Sequence, residues 1–141
     1  MYKLKRTVSF FCCITLLLIC LTPSTYATAT NPTITPYMEH IMGGQCALNV
    51  SSTTATVNAW VQAYSDATKT EVKVELQEQY LFFFWTTVDS WSASSNDIYC
   101  RASGSSPITS GKTYRAVATV TAWVGSDSET QTITTESKTA P

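Results

Sequence analysis

The sequence has little of what enzyme active sites usually need. It contains one histidine, His40, and charged residues make up only 13% of the chain. His40 has no cysteine or carboxylate at the spacing of a metal site or a catalytic triad, so neither a zinc centre nor a histidine-dependent hydrolase is indicated. Acidic pairs such as Asp89 with Asp97, or Glu71 with Glu75, are explained more simply as solvated strand faces. We therefore predict a protein that is not an enzyme and has no catalytic residue, metal or cofactor.

Positive charge is scarce as well, and part of it lies in a predicted signal peptide. Lys3, Lys5 and Arg6 precede an apolar run over residues 8–21, which is the order of a secretory signal. The run is shorter than the roughly 20 residues that span a bilayer, and Ala27-Thr28-Ala29 supplies small residues for a signal peptidase. We predict a signal peptide over residues 1–29, an extended segment over 30–44, a single domain over 45–141, and a secreted, extracellular protein.

Three alternatives to cleavage after Ala29 remain at this stage. They are cleavage after Ala27, an uncleaved membrane anchor, and lipid modification of Cys20. The third is disfavoured because Ile19 is larger than the small residue that usually precedes a lipidated cysteine.

Without the signal, six basic residues remain against ten acidic ones, because three of the nine Lys and Arg residues lie within it. Six scattered positive charges cannot form the continuous basic track that a phosphate backbone requires. Nucleic acid and anionic membranes are therefore excluded as expected partners. The partner that we expect is an extracellular protein or a glycan.

Helical periodicity is missing from the mature chain, which is dominated by Thr, Ser, Val and Ala in period-two alternation between turn signals. Such alternation is typical of half-buried β-strands. Seven strands in about 100 residues predict an all-β fold, a two-sheet antiparallel immunoglobulin-like sandwich. The predicted strands are 45–50, 53–64, 70–79, 85–92, 97–102, 113–124 and 129–135.

Two of these strands have nearly the same sequence. The segments 55–61, ATVNAWV, and 118–124, ATVTAWV, agree at six of seven positions. The second and sixth strands of such a sandwich are central strands of opposite sheets, and small inward residues let the sheets approach to about 10 Å. The likeness therefore indicates shared packing, since the flanking segments do not continue it.

The turn before the sixth strand resembles the tyrosine corner of immunoglobulin-like and fibronectin type III-like sandwiches. Ile108, Gly111 and Tyr114 follow one another at intervals of three residues. The resemblance assigns Tyr114 an inward position, with its hydroxyl bonded to nearby backbone, and assigns Gly111 the turn. The alternative is an ordinary glycine turn followed by a strand-favouring tyrosine.

The mature chain also resembles a group of uncharacterised small secreted proteins of clostridial Firmicutes. The resemblance rests on a short signal, a cysteine near the first strand and four segments, which are 69–77, 85–92 (WTTVDSWS), 111–115 (GKTYR) and 126–130 (SDSET). It implies a secreted sandwich and carries no activity. The chain departs from the group at 80–84, where YLFFF replaces a polar Gly/Ser hairpin.

Candidate binding residues come from that departure and from the tryptophans. Five consecutive large apolar side chains cannot all face one side of a sheet, so at least two should be exposed. We expect this segment to be a docking loop for a protein. It is also the only part of the chain through which we expect contact with a membrane. The alternative is that it forms a covered strand end or a dimer interface. Trp60, Trp85, Trp91 and Trp123 are candidate platforms for sugars. The predicted binding residues are Tyr80, Phe82, Phe83, Phe84, Trp85 and Trp91.

The last prediction is a disulfide between Cys46 and Cys100, the two cysteines outside the signal. Alternation places both on inward faces, and the extracellular compartment favours oxidation. Geometry opposes the bond, because the first and fifth strands would flank the second, and two strand spacings are about 9.6 Å. Two buried free thiols are the alternative.

Overall fold

The computed structural model describes residues 38–141. The predicted signal peptide and most of the extended segment lie outside the described residues. Over 38–141 the secondary structure is all β, without a helix, and accordingly no helix of membrane-spanning length and hydropathy is found in this part. The strands are β1 (Ile41–Val50), β2 (Thr54–Ala63), β3 (Lys69–Tyr80), β4 (Phe84–Ser95), β5 (Tyr99–Pro107), β6 (Thr113–Val124), β7 (Asp127–Thr134) and β8 (Lys138–Thr139).

The strands form two antiparallel sheets. The first has the order β1-β2-β5 and the second the order β4-β3-β6-β7, with the short β8 also paired to β6. Apolar side chains from both sheets form one buried cluster. The prediction of an all-β, two-sheet antiparallel sandwich is confirmed. β2 lies between two neighbours in its sheet, as β6 does in the other, in agreement with the prediction from their similar sequences.

The core consists of small and β-branched residues at alternate positions. Every second residue of β2 from Ala55 to Ala63 is fully buried, and so is every second residue of β6 from Ala116 to Ala122. Val72, Val74 and Leu76 of β3, the neighbour of β6 in its sheet, are fully buried as well. Alanines at inward positions let the two sheets pack closely around the larger valines and leucine. This shared packing requirement explains why β2 and β6 have nearly the same sequence.

β1 and β5 extend furthest beyond their predicted ends. β1 begins at Ile41, four residues before the expected start at Gln45, so part of the expected extended segment belongs to the sandwich. β5 continues to Pro107 instead of ending at Ala102. The added residues include glycine and serine, which have low strand propensity, but their backbones pair with β2. Pairing across the sheet outweighs local propensity here.

The predicted disulfide is wrong, because Cys46 and Cys100 are both free. Cys46 lies opposite Ala59 of β2, and Cys100 lies opposite Val61 on the other side of the same strand. Two strand spacings, about 9.6 Å, and an offset of two residues along β2 separate them, whereas disulfides need Cα atoms within about 7 Å. Burial raises the pKa of Cys46 to about 11, and it raises the pKa of Cys100 as well. The two thiols therefore stay protonated at neutral pH.

Candidate functional site

The connection between β3 and β4 is a hairpin whose end is almost entirely apolar. Tyr80 pairs with Phe84, and the three residues between them form the turn. We call Tyr80–Phe84 the aromatic tip. All five of its residues are exposed, from 60% for Tyr80 to 86% for Phe83. A hairpin end has no facing sheet to cover it, so the side chains that the sequence singled out project into solvent.

The turn of the aromatic tip has an unusual backbone. Leu81 and Phe82 have φ values of 46° and 58°, in the left-handed region. Asn and Gly normally occupy such turn positions, because a bulky side chain there costs roughly 1–2 kcal/mol per residue. The turn is closed by the Phe83 N–H, which donates to the Leu81 carbonyl at 2.6 Å. The Gln79 side-chain amide donates to the Phe82 carbonyl at 2.7 Å.

The charged side chains at the base of the aromatic tip all contact a partner. The guanidinium of Arg115 lies 4.2 Å from the centre of the Trp85 ring and donates from Nε to Gln77 at 2.9 Å. Glu78 forms an ion pair with Lys112 at 3.4 Å. The sequence has no charged residue between Glu78 and Asp89. The tip is therefore an uncharged surface, and the predicted binding residue Trp85 lies directly beneath it.

Trp91 does not belong to this surface, although the sequence grouped it with the aromatic tip. It pairs with Val74 of β3, partly buried against the core, and its ring fills the space that a side chain at Gly104 of β5 would occupy. Trp85 and Trp91 are six residues apart, so regular alternation would place them on the same face of β4. A β-bulge opposite Leu76 and Gln77 adds one residue to β4 between them, so the Trp91 ring faces inward. Trp91 has a packing role in the structure.

Tyr114 and Gly111 lie where the chain turns into β6. The Tyr114 ring is 1% exposed, and its hydroxyl accepts a hydrogen bond from the Thr109 N–H at 3.0 Å. The same hydroxyl donates to Glu78 Oε2 at 3.0 Å. Gly111 has a φ of 79°, which favours glycine. These contacts anchor the turn to the end of β3 from which the aromatic tip projects.

A cluster that the sequence did not predict joins the start of β1 to β7. Glu129 accepts hydrogen bonds from the backbone N–H groups of Glu39, His40 and Ile41, at 3.2, 2.8 and 2.9 Å. His40 Nε2 lies 3.2 Å from Asp127 Oδ2. We call His40, Asp127 and Glu129 the β1–β7 clasp. Its members are about 90 residues apart, so no spacing rule could find it.

The clasp shifts the pKa of each of its three ionisable groups. The hydrogen bond to Asp127 raises the pKa of His40 against the opposing effect of burial, and the same bond lowers the pKa of Asp127. Burial raises the pKa of Glu129, but its backbone donors outweigh this and leave the pKa below its ordinary value. The clasp thus holds the start of β1 against β7 through hydrogen bonds to the Glu129 carboxylate and the His40–Asp127 contact. In residues 38–141 no group of three or more ligating side chains is placed to hold a metal ion.

A comparison with models of known protein families finds no match, and a comparison with curated proteins finds no similar sequence.

Proposed function

We propose that the chain is a secreted, non-enzymatic, immunoglobulin-like β-sandwich that binds an extracellular protein through the aromatic tip. The exposure of all five tip residues is the observation that carries this proposal. The strand orders β1-β2-β5 and β4-β3-β6-β7 support the immunoglobulin-like assignment. The predicted signal peptide supports secretion. The acidic composition, which provides no basic track for a nucleic acid, supports a protein as the partner.

The energetics of the aromatic tip are adequate for binding. Burying one large apolar side chain is worth roughly 1.5–3 kcal/mol. Burying most of the tip therefore provides on the order of 5–10 kcal/mol before the costs of association, which are themselves several kcal/mol. The tip alone thus supports a moderate affinity. Additional polar contacts around Trp85 would be needed for tight binding.

Panning a random dodecapeptide phage library on the immobilised protein tests this proposal. We expect enrichment of apolar peptides, and we expect their affinity to fall about tenfold or more in the double variant F82S/F83S. Val88→Ser is the matched control, because Val88 is an exposed apolar residue of the same hairpin outside the tip. The thermal unfolding curve of F82S/F83S should match the wild type, since the two rings are exposed.

Two results would contradict the proposal. Selected peptides that bind F82S/F83S as tightly as the wild type would place the contact elsewhere. Loss of folded protein in F82S/F83S would show that the rings contribute to stability and are not a free surface.

A second candidate function is membrane activity, as in a secreted toxin or bacteriocin. It is favoured by the uncharged stretch between Glu78 and Asp89, because aromatic residues partition into the membrane interface. The three-residue turn can reach only the interfacial region of a bilayer whose apolar core is about 30 Å thick. Membrane disruption would therefore require several copies acting together.

Flotation with neutral phosphatidylcholine vesicles loaded with a fluorescent dye separates the two candidates. Flotation and dye release that are lost in F82S/F83S would support the membrane candidate and overturn the protein-binding one. Wild-type protein that stays in solution, with the dye retained, would exclude the membrane candidate.

A further inference from the structure

A shallow groove lies on the outer face of the three-stranded sheet, away from the aromatic tip. Its volume is about 480 Å³, and it is lined by Met42, Gly43, Trp60, Gln62 and Tyr99. The lining comes from β1, its bulge, β2 and β5, which belong to the same sheet. The groove shares no residue and no strand with the β3–β4 hairpin.

The strand register explains why the groove exists. Gly43, Gln62 and Tyr99 lie side by side across the sheet, and Gln45, Trp60 and Arg101 form the next row. A Cβ atom built on Gly43 would meet no other atom within 4 Å. The missing side chain at this position therefore leaves open space between the larger neighbours, and that space is the groove.

Two aromatic rings form the groove's wall. The rings of Trp60 and Tyr99 have their centres 6.3 Å apart with an angle of 27° between their planes. Trp60 Nε1 donates a hydrogen bond to Gln45 Oε1 at 3.2 Å, which fixes the orientation of the indole. Two rings held in nearly parallel planes before any ligand arrives reduce the entropy that binding must overcome.

The outward face around these rings is almost without charge. Among the described outward-facing residues of the three strands, no side chain carries a carboxylate, and Arg101 is the one cation. Amides and hydroxyls supply the remaining polar groups. Besides the two aromatic residues, these residues are Gln45, Asn49, Thr54, Thr56, Asn58, Gln62, Ser103 and Ser105. Such groups hydrogen-bond to neutral hydroxyls and amides as both donors and acceptors.

We propose that this groove binds a neutral β-linked oligosaccharide. A pyranose ring whose hydroxyls are equatorial presents a flat face of C–H groups that stacks on an aromatic ring, while its hydroxyls point outward at the edge. The Trp60–Tyr99 pair offers the stacking surface, and Gln45 and Gln62 border it with amides. A polyanionic glycan would meet one arginine only, and a polycation would meet no carboxylate on this face.

Isothermal titration with chitohexaose and cellohexaose tests the proposal on the folded protein. We expect saturable binding of at least one of them, weakened about tenfold or more by Tyr99→Ala. Gly43→Val should abolish the binding, because the valine side chain would fill the groove. The unfolding curve of this variant should match the wild type, because a Cβ atom at position 43 meets no other atom within 4 Å. Ala47→Val, an exposed position of the same strand, is the matched control and should bind like the wild type.

The aromatic tip variant F82S/F83S should also bind both sugars normally, so that this proposal and the proposed function fail separately. Absence of binding to both hexasaccharides at millimolar concentration would overturn the oligosaccharide proposal. Equal binding by Gly43→Val would overturn the assignment to this groove. A dimer in sedimentation velocity that Gly43→Val dissociates would also overturn it and identify the face as a self-association surface.

Discussion

Substitution of Tyr114 by phenylalanine tests how the end of β3 is fastened to the turn before β6. The hydroxyl accepts from the Thr109 N–H and donates to Glu78 Oε2, both at 3.0 Å, while the ring is buried. Phenylalanine keeps the ring and removes both hydrogen bonds. The change therefore isolates the hydroxyl from the packing.

The magnitude follows from the two bonds. An unsatisfied buried N–H costs about 1–3 kcal/mol, and a hydrogen bond to a charged group is worth about 1.5–3 kcal/mol. The Glu78 side chain is 27% exposed and also pairs with Lys112, so water and the lysine compensate part of the second loss. We expect a decrease of about 2 kcal/mol in the free energy of unfolding. For a domain of this size, this corresponds to a melting temperature lower by roughly 8 °C.

Urea denaturation followed by tryptophan fluorescence measures this change, with calorimetry for the melting temperature. Tyr64→Phe is the control, because Tyr64 is 41% exposed, and it should change the free energy of unfolding by less than about 0.5 kcal/mol. Tyr114→Phe with the stability of the wild type would refute the structural role of the hydroxyl.

Three further predictions concern the core and the clasp. Denatured, unreduced protein lacking residues 1–29 should contain two titratable thiols, Cys46 and Cys100; a titration that finds none would restore the disulfide. Gly104→Ala should destabilise the fold by about 2–3 kcal/mol in urea denaturation, because its methyl group would overlap the Trp91 ring; wild-type stability would show that the ring moves freely. Folding lowers the pKa of Glu129 below its ordinary value of 4.5. The stability that the ionised Glu129 carboxylate contributes is therefore fully present above pH 4.5 and is lost as the pH falls through the folded-state pKa. Glu129→Gln should therefore lower the melting temperature at pH 7 and reduce the fall of the melting temperature at acid pH. Melting temperatures of the variant and the wild type that run parallel across this pH range would exclude the stabilising role of the clasp.

The strands were predictable because their inward faces repeat every second residue. The segment 113–124 was predicted with both ends as observed. Apolar inward positions and outward positions alternate along it, and a glycine turn precedes it. The early start of β1 and the late end of β5 were not predictable. Gly43, Gly44 and Gly104 weaken the local signal, and these segments become strands because β2 lies between them.

The candidate surfaces were predictable only where one stretch of sequence builds them. The aromatic tip is continuous in the chain, so the exposure of at least two of its residues was predictable, because five adjacent side chains cannot all face one side of a sheet. That all five are exposed follows from their place at the end of a hairpin. The groove, the clasp and the packing of Trp91 depend on which residues meet across strands. For example, Trp60 and Tyr99 are neighbours because β2 pairs with β5, and this register cannot be read from either segment alone.

The aromatic tip combines two costs that folding alone does not require. Its large side chains are exposed to water, and two of them hold a left-handed backbone that asparagine and glycine adopt with less strain. Either cost could be removed by polar turn residues without touching the core, because no tip residue contributes to the buried cluster. Backbone strain and exposed apolar surface in the same residues are typical of sites that contact a partner. Their coincidence at Leu81 and Phe82 is thus a stronger argument for binding at the tip than the apolar sequence itself.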